Sequence, residues 1–133
     1  MNKFVLDACA VLALIKDEQG ATVVKDVMVS DAEIFLHAVT LVEIYYNISK
    51  EFGINKADSF FDIITQTKIK IIYETTESTI KNAGYFKSKY KISLGDSFVL
   101  AIAKFHNAKI ISSDHHEFDP IEKSENIDFL WIR

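Results

Sequence analysis

One cysteine, one proline, one tryptophan, one arginine and four glycines are all that the 133 residues hold of these types. The single thiol, Cys9, can close no internal disulfide and build no thiolate zinc site by itself, which removes zinc ribbons and disulfide-stapled scaffolds and agrees with a reducing compartment. So few glycines and prolines leave no flexible or proline-rich linker, and there is no internal repeat or low-complexity tract. One domain over residues 1–133 is therefore expected, long enough to bury roughly two-thirds of the surface of its unfolded chain. Long apolar runs are missing as well. Val11-Leu12-Ala13-Leu14-Ile15 is cut at once by Lys16-Asp17-Glu18, well short of the roughly 20 residues a membrane span needs. The strand-like Lys3-Phe4-Val5-Leu6 opens so early that a secretory leader does not fit ahead of it, and a cytoplasmic location is expected. There is no basic excess either: 15 Lys and Arg against 19 Asp and Glu give a net charge of −4, which is not the overall field of a nucleic-acid binder. The charge is unevenly spread, however, with Lys81, Lys87, Lys89 and Lys91 close together and Asp114, Glu117, Asp119, Glu122, Glu125 and Asp128 crowding the C-terminal end.

What is present is an ordinary globular balance, 49% hydrophobic and 26% charged, arranged in alternating periodicities. Apolar, β-rich runs of strand length fall at Lys3–Leu6, Glu33–His37, Ile69–Tyr73, Lys109–Ile111 and Asp128–Ile132. Helical periodicity fills the intervals Thr40–Phe52, Ala57–Gln66, Thr76–Tyr90 and Gly95–His106, with a shorter pair at Ala10–Lys16 and Gly20–Val29. Strands as short and apolar as Phe4-Val5-Leu6 have no wet face. The alternation therefore predicts an α/β fold, a three-layer sandwich whose mostly parallel sheet is covered by helices on both faces. The segment from Gly95 to His106 is apolar on nearly every side and is expected at the centre of the packing.

Four acids then take on meaning from where this fold puts them. Asp7 directly follows the first strand, and Asp114 follows the strand Lys109–Ile111 after two serines. Glu43 is expected in the first turn of a helix opening at Thr40, and Asp96 in the first turn of the helix near Ser93 or Gly95. The C-terminal ends of parallel strands and the N-terminal ends of the helices that follow share one edge of the sheet, so all four acids are expected on one rim. Each alone has an ordinary reading. Thr40-Leu41-Val42-Glu43 fits a capping box, Ser93-Leu94-Gly95-Asp96 nearly does, Asp7 can cap the first helix, and Asp114 can serve a turn. Capping does not explain four carboxylates on one edge without a glycine-rich phosphate loop. Gathered carboxylates raise one another's pKa and call for a cation. Oxygen-only ligands select Mg²⁺ or Mn²⁺ over zinc, and such ions act on phosphodiesters by activating water and neutralising developing charge. A metal-dependent nuclease is the chemistry this arrangement suggests.

Nearly the whole chain resembles the PIN-domain nucleases, and in particular the small stand-alone VapC-like ribonuclease toxins of toxin–antitoxin pairs. The resemblance is carried by Phe4-Val5-Leu6-Asp7-Ala8-Cys9-Ala10, by Thr40-Leu41-Val42-Glu43-Ile44, by Leu94-Gly95-Asp96-Ser97-Phe98-Val99-Leu100-Ala101 and by Ile110-Ile111-Ser112-Ser113-Asp114 leading to Phe118. It implies that Asp7, Glu43, Asp96 and Asp114 form an acidic quartet, with Asp7 and Asp96 as direct metal ligands and the hydroxyls of Ser112 and Thr40 standing behind them. It further implies Mg²⁺- or Mn²⁺-dependent cleavage of single-stranded RNA by activated water, a cognate antitoxin that fills the site, and a homodimer. Many such proteins carry arginines around the site, whereas Arg133 is the only one here, so phosphate contact is expected from Lys87, Lys89 and Lys91, as point charges without arginine's fork.

Two other readings remain open on the sequence. An Asp after the first strand is also the acceptor of phospho-acceptor domains, receiver-like or haloacid-dehalogenase-like, but Asp7-Ala8-Cys9 lacks the second acid of the latter and no acidic pair precedes the first helix. The third reading is an idle binding module whose acids are only caps. Asp114-His115-His116-Glu117 with Asp119 resembles a transition-metal cluster, yet adjacent histidines in a polar loop ordinarily point apart; Asp119 before Pro120 reads as a turn and Cys9 as a small core residue. Tyr45, Tyr46, Phe52, Phe60 and Phe61 read as core, and any left exposed would suit a partner groove.

Overall fold

In the computed structural model, which describes residues 2–133, five strands form one sheet in the order β3-β2-β1-β4-β5, with every neighbouring pair parallel. The strands are β1 (Lys3–Leu6), β2 (Glu33–His37), β3 (Lys70–Ile72), β4 (Lys109–Ser112) and β5 (Phe129–Trp131). The helices are α1 (Ala8–Ile15), α2 (Ala21–Val29), α3 (Ala38–Phe52), α4 (Ile54–Ile64), α5 (Glu77–Lys89), α6 (Leu94–His106) and α7 (His115–Ser124). β1 is central: Val5 lies opposite Phe35 of β2 and Ile110 of β4, and Leu6 opposite Ile111.

Side chains alternate across a strand, so each strand feeds two cores. Phe4, Leu6, Ile34, Leu36 and Ile111 pack with Val11, Val24, Leu41, Ile44 and Ala57 of α1 to α4. Val5, Phe35 and Ile110 face the other way, into Phe86 of α5, Val99, Leu100 and Ile102 of α6, and Phe118 and Ile121 of α7. This is the expected α/β three-layer arrangement, with the sheet wholly parallel and helices on both faces. α6 is buried over most of its length, as its composition required.

Two segments depart from the sequence reading. α3 begins at Ala38, not Thr40, because the imidazole of His37 is its cap: Nδ1 accepts the Val39 N–H at 3.0 Å. The Thr40–Glu43 capping box therefore does not form, and Glu43 sits in the second turn. The other departure is α7, where Asp119-Pro120 looked like a turn. Asp114 caps this helix, its Oδ1 accepting the Glu117 N–H at 3.2 Å, and Phe118 and Ile121 are each 0% exposed. Burying two such side chains is worth about 1.5–3 kcal/mol each, enough to offset the roughly 3 kcal/mol that an internal proline costs a helix.

Candidate active site

The C-terminal edge of the sheet collects the acids because strand ends and helix starts meet there. Asp7 leaves β1 in extended conformation and caps α1, with Oδ1 accepting the Ala10 N–H at 2.8 Å. Its Oδ2 accepts a hydrogen bond from the Ser112 hydroxyl at the end of β4. The same Ser112 oxygen accepts the Asp114 N–H at 2.9 Å, so one hydroxyl ties together the acids that end β1 and β4. Asp7 is 1% exposed. That burial pushes its carboxyl up to about 7, against the pull of the Ser112 and Ala10 hydrogen bonds and helped by the charges of Asp114 and Glu43. Asp7 is thus buried and held through both carboxylate oxygens.

Asp96 lies in the first turn of α6, positioned by Ser93, whose hydroxyl oxygen accepts the Asp96 N–H at 3.1 Å. Its carboxyl is raised well above the ordinary range, first by burial, then by the Glu117 carboxyl against it and the charges of Asp7 and Asp114. Asp96, Asp114 and Glu117 each offer an oxygen, and these lie within 4.8 Å of one another. Glu43 reaches the same group from α3. A β-carbon at position 95 would overlap its carboxylate, so any side chain there would have to push the Glu43 carboxylate out of its present place. Burial and the Glu117 charge raise the Glu43 carboxyl as well.

Glu117 is the residue the sequence reading passed over. In the sequence it stands inside the run Asp114-His115-His116-Glu117, beside two histidines. The useful signal was the Asp-x-x-Glu spacing, which starts α7 and turns Glu117 back toward its cap. The histidines do not join the cluster: His115 Nδ1 meets Asp119 Oδ1 at 2.8 Å and its Nε2 meets the Arg133 carbonyl at 2.8 Å. Thr40 is buried and its hydroxyl finds no hydrogen-bond partner, so it does not brace the carboxylates as Ser112 does. Cys9 stays a thiol, pushed up to about 12 by burial and by the charges of Asp7, Asp114 and Asp96.

Of the lysines placed near Asp96 by sequence, Lys89 is held at the far end of α7, whereas Lys87 is tied to the segment that opens α6. Lys89 pairs with Glu125 at 3.1 Å, and the Lys87 ammonium donates to the Ile92 carbonyl at 2.7 Å. Glu125 ends the helix that Asp114 begins, so Lys89 is about one ten-residue helix, roughly 15 Å, from that acid. Lys91 is exposed and makes no described hydrogen bond or ion pair. A cavity of about 590 Å³ opens at the opposite edge of the sheet, beside Lys3, Lys104, Lys109 and Asp128, and includes none of the clustered acids.

The donor set fits a hard divalent cation. All of its ligand atoms are carboxylate oxygens, and Glu117 Oε2 is buried with no hydrogen-bond partner. Among the described residues, no lysine, arginine or histidine forms an ion pair with Asp7, Glu43, Asp96, Asp114 or Glu117. Five acids gathered without a cationic partner, two of them strongly desolvated, favour their protonated forms, and a bound cation is what would let them ionise together.

Comparison with known proteins agrees with this architecture. The PIN domain family model matches residues 4–123. The chain belongs to the PIN domain family. No curated protein matches it by sequence. Among solved structures, it is similar to VapBC2 from Rickettsia felis, solved bound to a DNA fragment from their promoter (16% identity, 97% of this chain and 98% of that one, TM-score 0.74). VapBC-1 from nontypeable Haemophilus influenzae is similar over 98% of both chains at 15% identity, with a TM-score of 0.75. Mycobacterium tuberculosis VapC20, described as a toxin that cleaves the sarcin–ricin loop, is similar at 14% identity over 82% of this chain and 86% of that one, with a TM-score of 0.67. At these identities the shared property is the fold.

Proposed function

We propose that this protein is a Mg²⁺- or Mn²⁺-dependent endoribonuclease and the toxin of a toxin–antitoxin pair. The observation that carries the reading is the convergence of Asp96, Asp114 and Glu117 oxygens within 4.8 Å beside the buried Asp7, on the edge of a PIN-family sheet, with no cation among the described residues paired to them. Asp7 and Asp96 would hold the ion together with Asp114 and Glu117, the Asp7 carboxylate being fixed by Ser112 and Ala10. When bound, the ion supplies Lewis-acid activation of water and neutralises charge that develops on the scissile phosphate. Hydrolysis joins a water oxygen to phosphorus and breaks the bond to the ribose oxygen, which leaves as a hydroxyl by taking a proton from solvent. Glu43, half-buried at the rim with its pKa raised, is placed to take the proton the water gives up.

Similarity to structures of the VapBC family of toxin–antitoxin systems supports an antitoxin partner here. A surface suited to it exists: a groove of about 430 Å³ between α3 and α4 is lined by Leu41, Val42, Tyr45, Phe61 and Tyr73. Exposed Tyr46 and Phe52 continue the apolar face of α3, which also suits a homodimer. No described helix is long and apolar enough to cross a membrane.

The test is incubation of antitoxin-free protein with a mixed pool of structured and single-stranded RNA, with and without Mg²⁺ or Mn²⁺, beside Asp96→Asn. Discrete metal-dependent products, absent with the variant, are expected. Cleavage that persists in EDTA, or that Asp96→Asn leaves intact, overturns the reading.

A further inference from the structure

Beside the acidic cluster stands a column of rings that the carboxylate chemistry does not use. Phe129 and Trp131 of β5 stack at 4.9 Å with planes 8° apart, and His115 stacks on Trp131 at 3.8 Å and 19°. Phe118, wholly buried, supports the base of the column against Phe129 at 5.2 Å. The column ends at the rim. Trp131 lies in register with Ser112, the residue that holds Asp7, and His115 directly follows Asp114 in the chain.

The terminal ring is fixed to a degree unusual for a surface histidine. Asp119 and the Arg133 carbonyl hold its two nitrogens at 2.8 Å each, and the Trp131 indole N–H donates to Glu122 at 3.1 Å. Nevertheless the His115 side chain is 46% exposed. With both nitrogens engaged and one face against Trp131, that exposure falls on the opposite face and the carbon edge. A rigid, flat, exposed ring at the end of an ordered stack is what a nucleobase takes as a platform, since every base offers a π-face.

Resting on the ribonuclease reading, we propose that the exposed face of His115, backed by Trp131, is the stacking site for an unpaired base of the RNA strand, in the nucleotide that flanks the scissile phosphate. His115 is then a positioning residue: it holds the strand in register with the carboxylates and takes no part in bond making. Such a platform serves a chain with almost no arginine, because stacking draws on the base where phosphate clamps are few. It also selects single strands, whose bases are free to leave their own stack.

Trp131 is the only tryptophan, so its fluorescence reports on the column directly. The experiment titrates single-stranded RNA 12-mers of A, of U and of mixed sequence into the unmodified protein, His115→Ala and His115→Phe in EDTA, reading Trp131 emission and Kd. Cleavage of the mixed 12-mer with Mn²⁺ is then compared with copies carrying an abasic residue on either side of the cut. The proposal expects a change in Trp131 emission on binding, Kd or KM raised on the order of tenfold in His115→Ala, and near-normal values in His115→Phe, which keeps a ring on Trp131. An abasic flank should harm the unmodified protein and add little to His115→Ala. Unchanged Kd and KM in a folded His115→Ala overturn the proposal, and so does a His115→Phe as weak as His115→Ala, which would assign the effect to the nitrogens. The two readings fail differently: a chain that binds RNA at this ring and cuts none with either metal refutes the nuclease, and metal-dependent cleavage indifferent to residue 115 refutes the platform.

Discussion

Removing the charge of Asp7 should stabilise the metal-free protein, and by an amount that grows with pH. Burial holds this carboxyl at about 7 in the folded state, against an ordinary value of 3.8. The folded protein thus keeps a proton that the unfolded chain releases. The resulting stabilisation is complete below about pH 4, declines as pH rises through 7, and is absent above it. A gap of about three pH units, at roughly 1.4 kcal/mol per unit, makes the swing about 4 kcal/mol. Asp7→Asn preserves an acceptor for the Ala10 N–H and places an amide beside the Ser112 hydroxyl, without a charge to desolvate. In EDTA its melting temperature should exceed that of the unmodified protein increasingly between pH 5 and pH 8, by about 10 °C or more at the upper end for a domain of this size. Mn²⁺ should then close the gap by stabilising the unmodified chain more than the variant. Thermal melts by circular dichroism in EDTA and in Mn²⁺ measure both effects. A melting difference that stays flat from pH 5 to pH 8 in EDTA refutes the electrostatic description of the site.

Three further outcomes follow from particular contacts. Gly95→Ala sets a methyl group against the Glu43 carboxylate, so RNA cleavage should fall at least tenfold, about 1.4 kcal/mol of barrier, with near-normal far-UV dichroism. Glu117→Gln removes one charge from the three closest oxygens and should weaken Mn²⁺ binding, read by electron paramagnetic resonance, on the order of tenfold or more. Burial lowers the pKa of His37, whose neutral Nδ1 accepts the Val39 N–H. The stability this neutral ring gives is present above about pH 6.5 and lost as pH falls below it, so the unmodified protein should lose melting temperature relative to His37→Asn on acidification.

Much of this architecture was legible because periodicity reports burial. β1 and β2 run over the residues that their apolar runs predict, and α6, apolar all round, is the central helix. Legibility failed where a long-range contact outweighed a local rule. Thr40-x-x-Glu43 has the form of a cap, yet the ring of His37, pinned between the start of α3 and Phe98 at 4.7 Å, does the capping and leaves the Thr40 hydroxyl unpaired. Pro120 reads as a break, but Phe118 and Ile121 gain more from burial than the helix loses. That hidden helix is what carries Glu117 into the cluster. Nearness in sequence did not fix where the lysines point: Lys87 stays at the start of α6, but Lys89 is anchored at the far end of α7. Caps and site residues are also not alternatives, since Asp7 and Asp114 each cap a helix and face the cluster with the same carboxylate.

The most direct test of a metal-dependent ribonuclease site is the initial rate of RNA cleavage as Mn²⁺ is titrated into metal-stripped protein, for the unmodified chain and for Asp96→Asn at matched melting temperature. The account predicts no cleavage without metal, a rate that saturates with Mn²⁺ in the unmodified chain, and a loss of at least two orders of magnitude in the variant, about 2.7 kcal/mol or more of barrier. A rate independent of Mn²⁺, or equal in the two proteins, would contradict it.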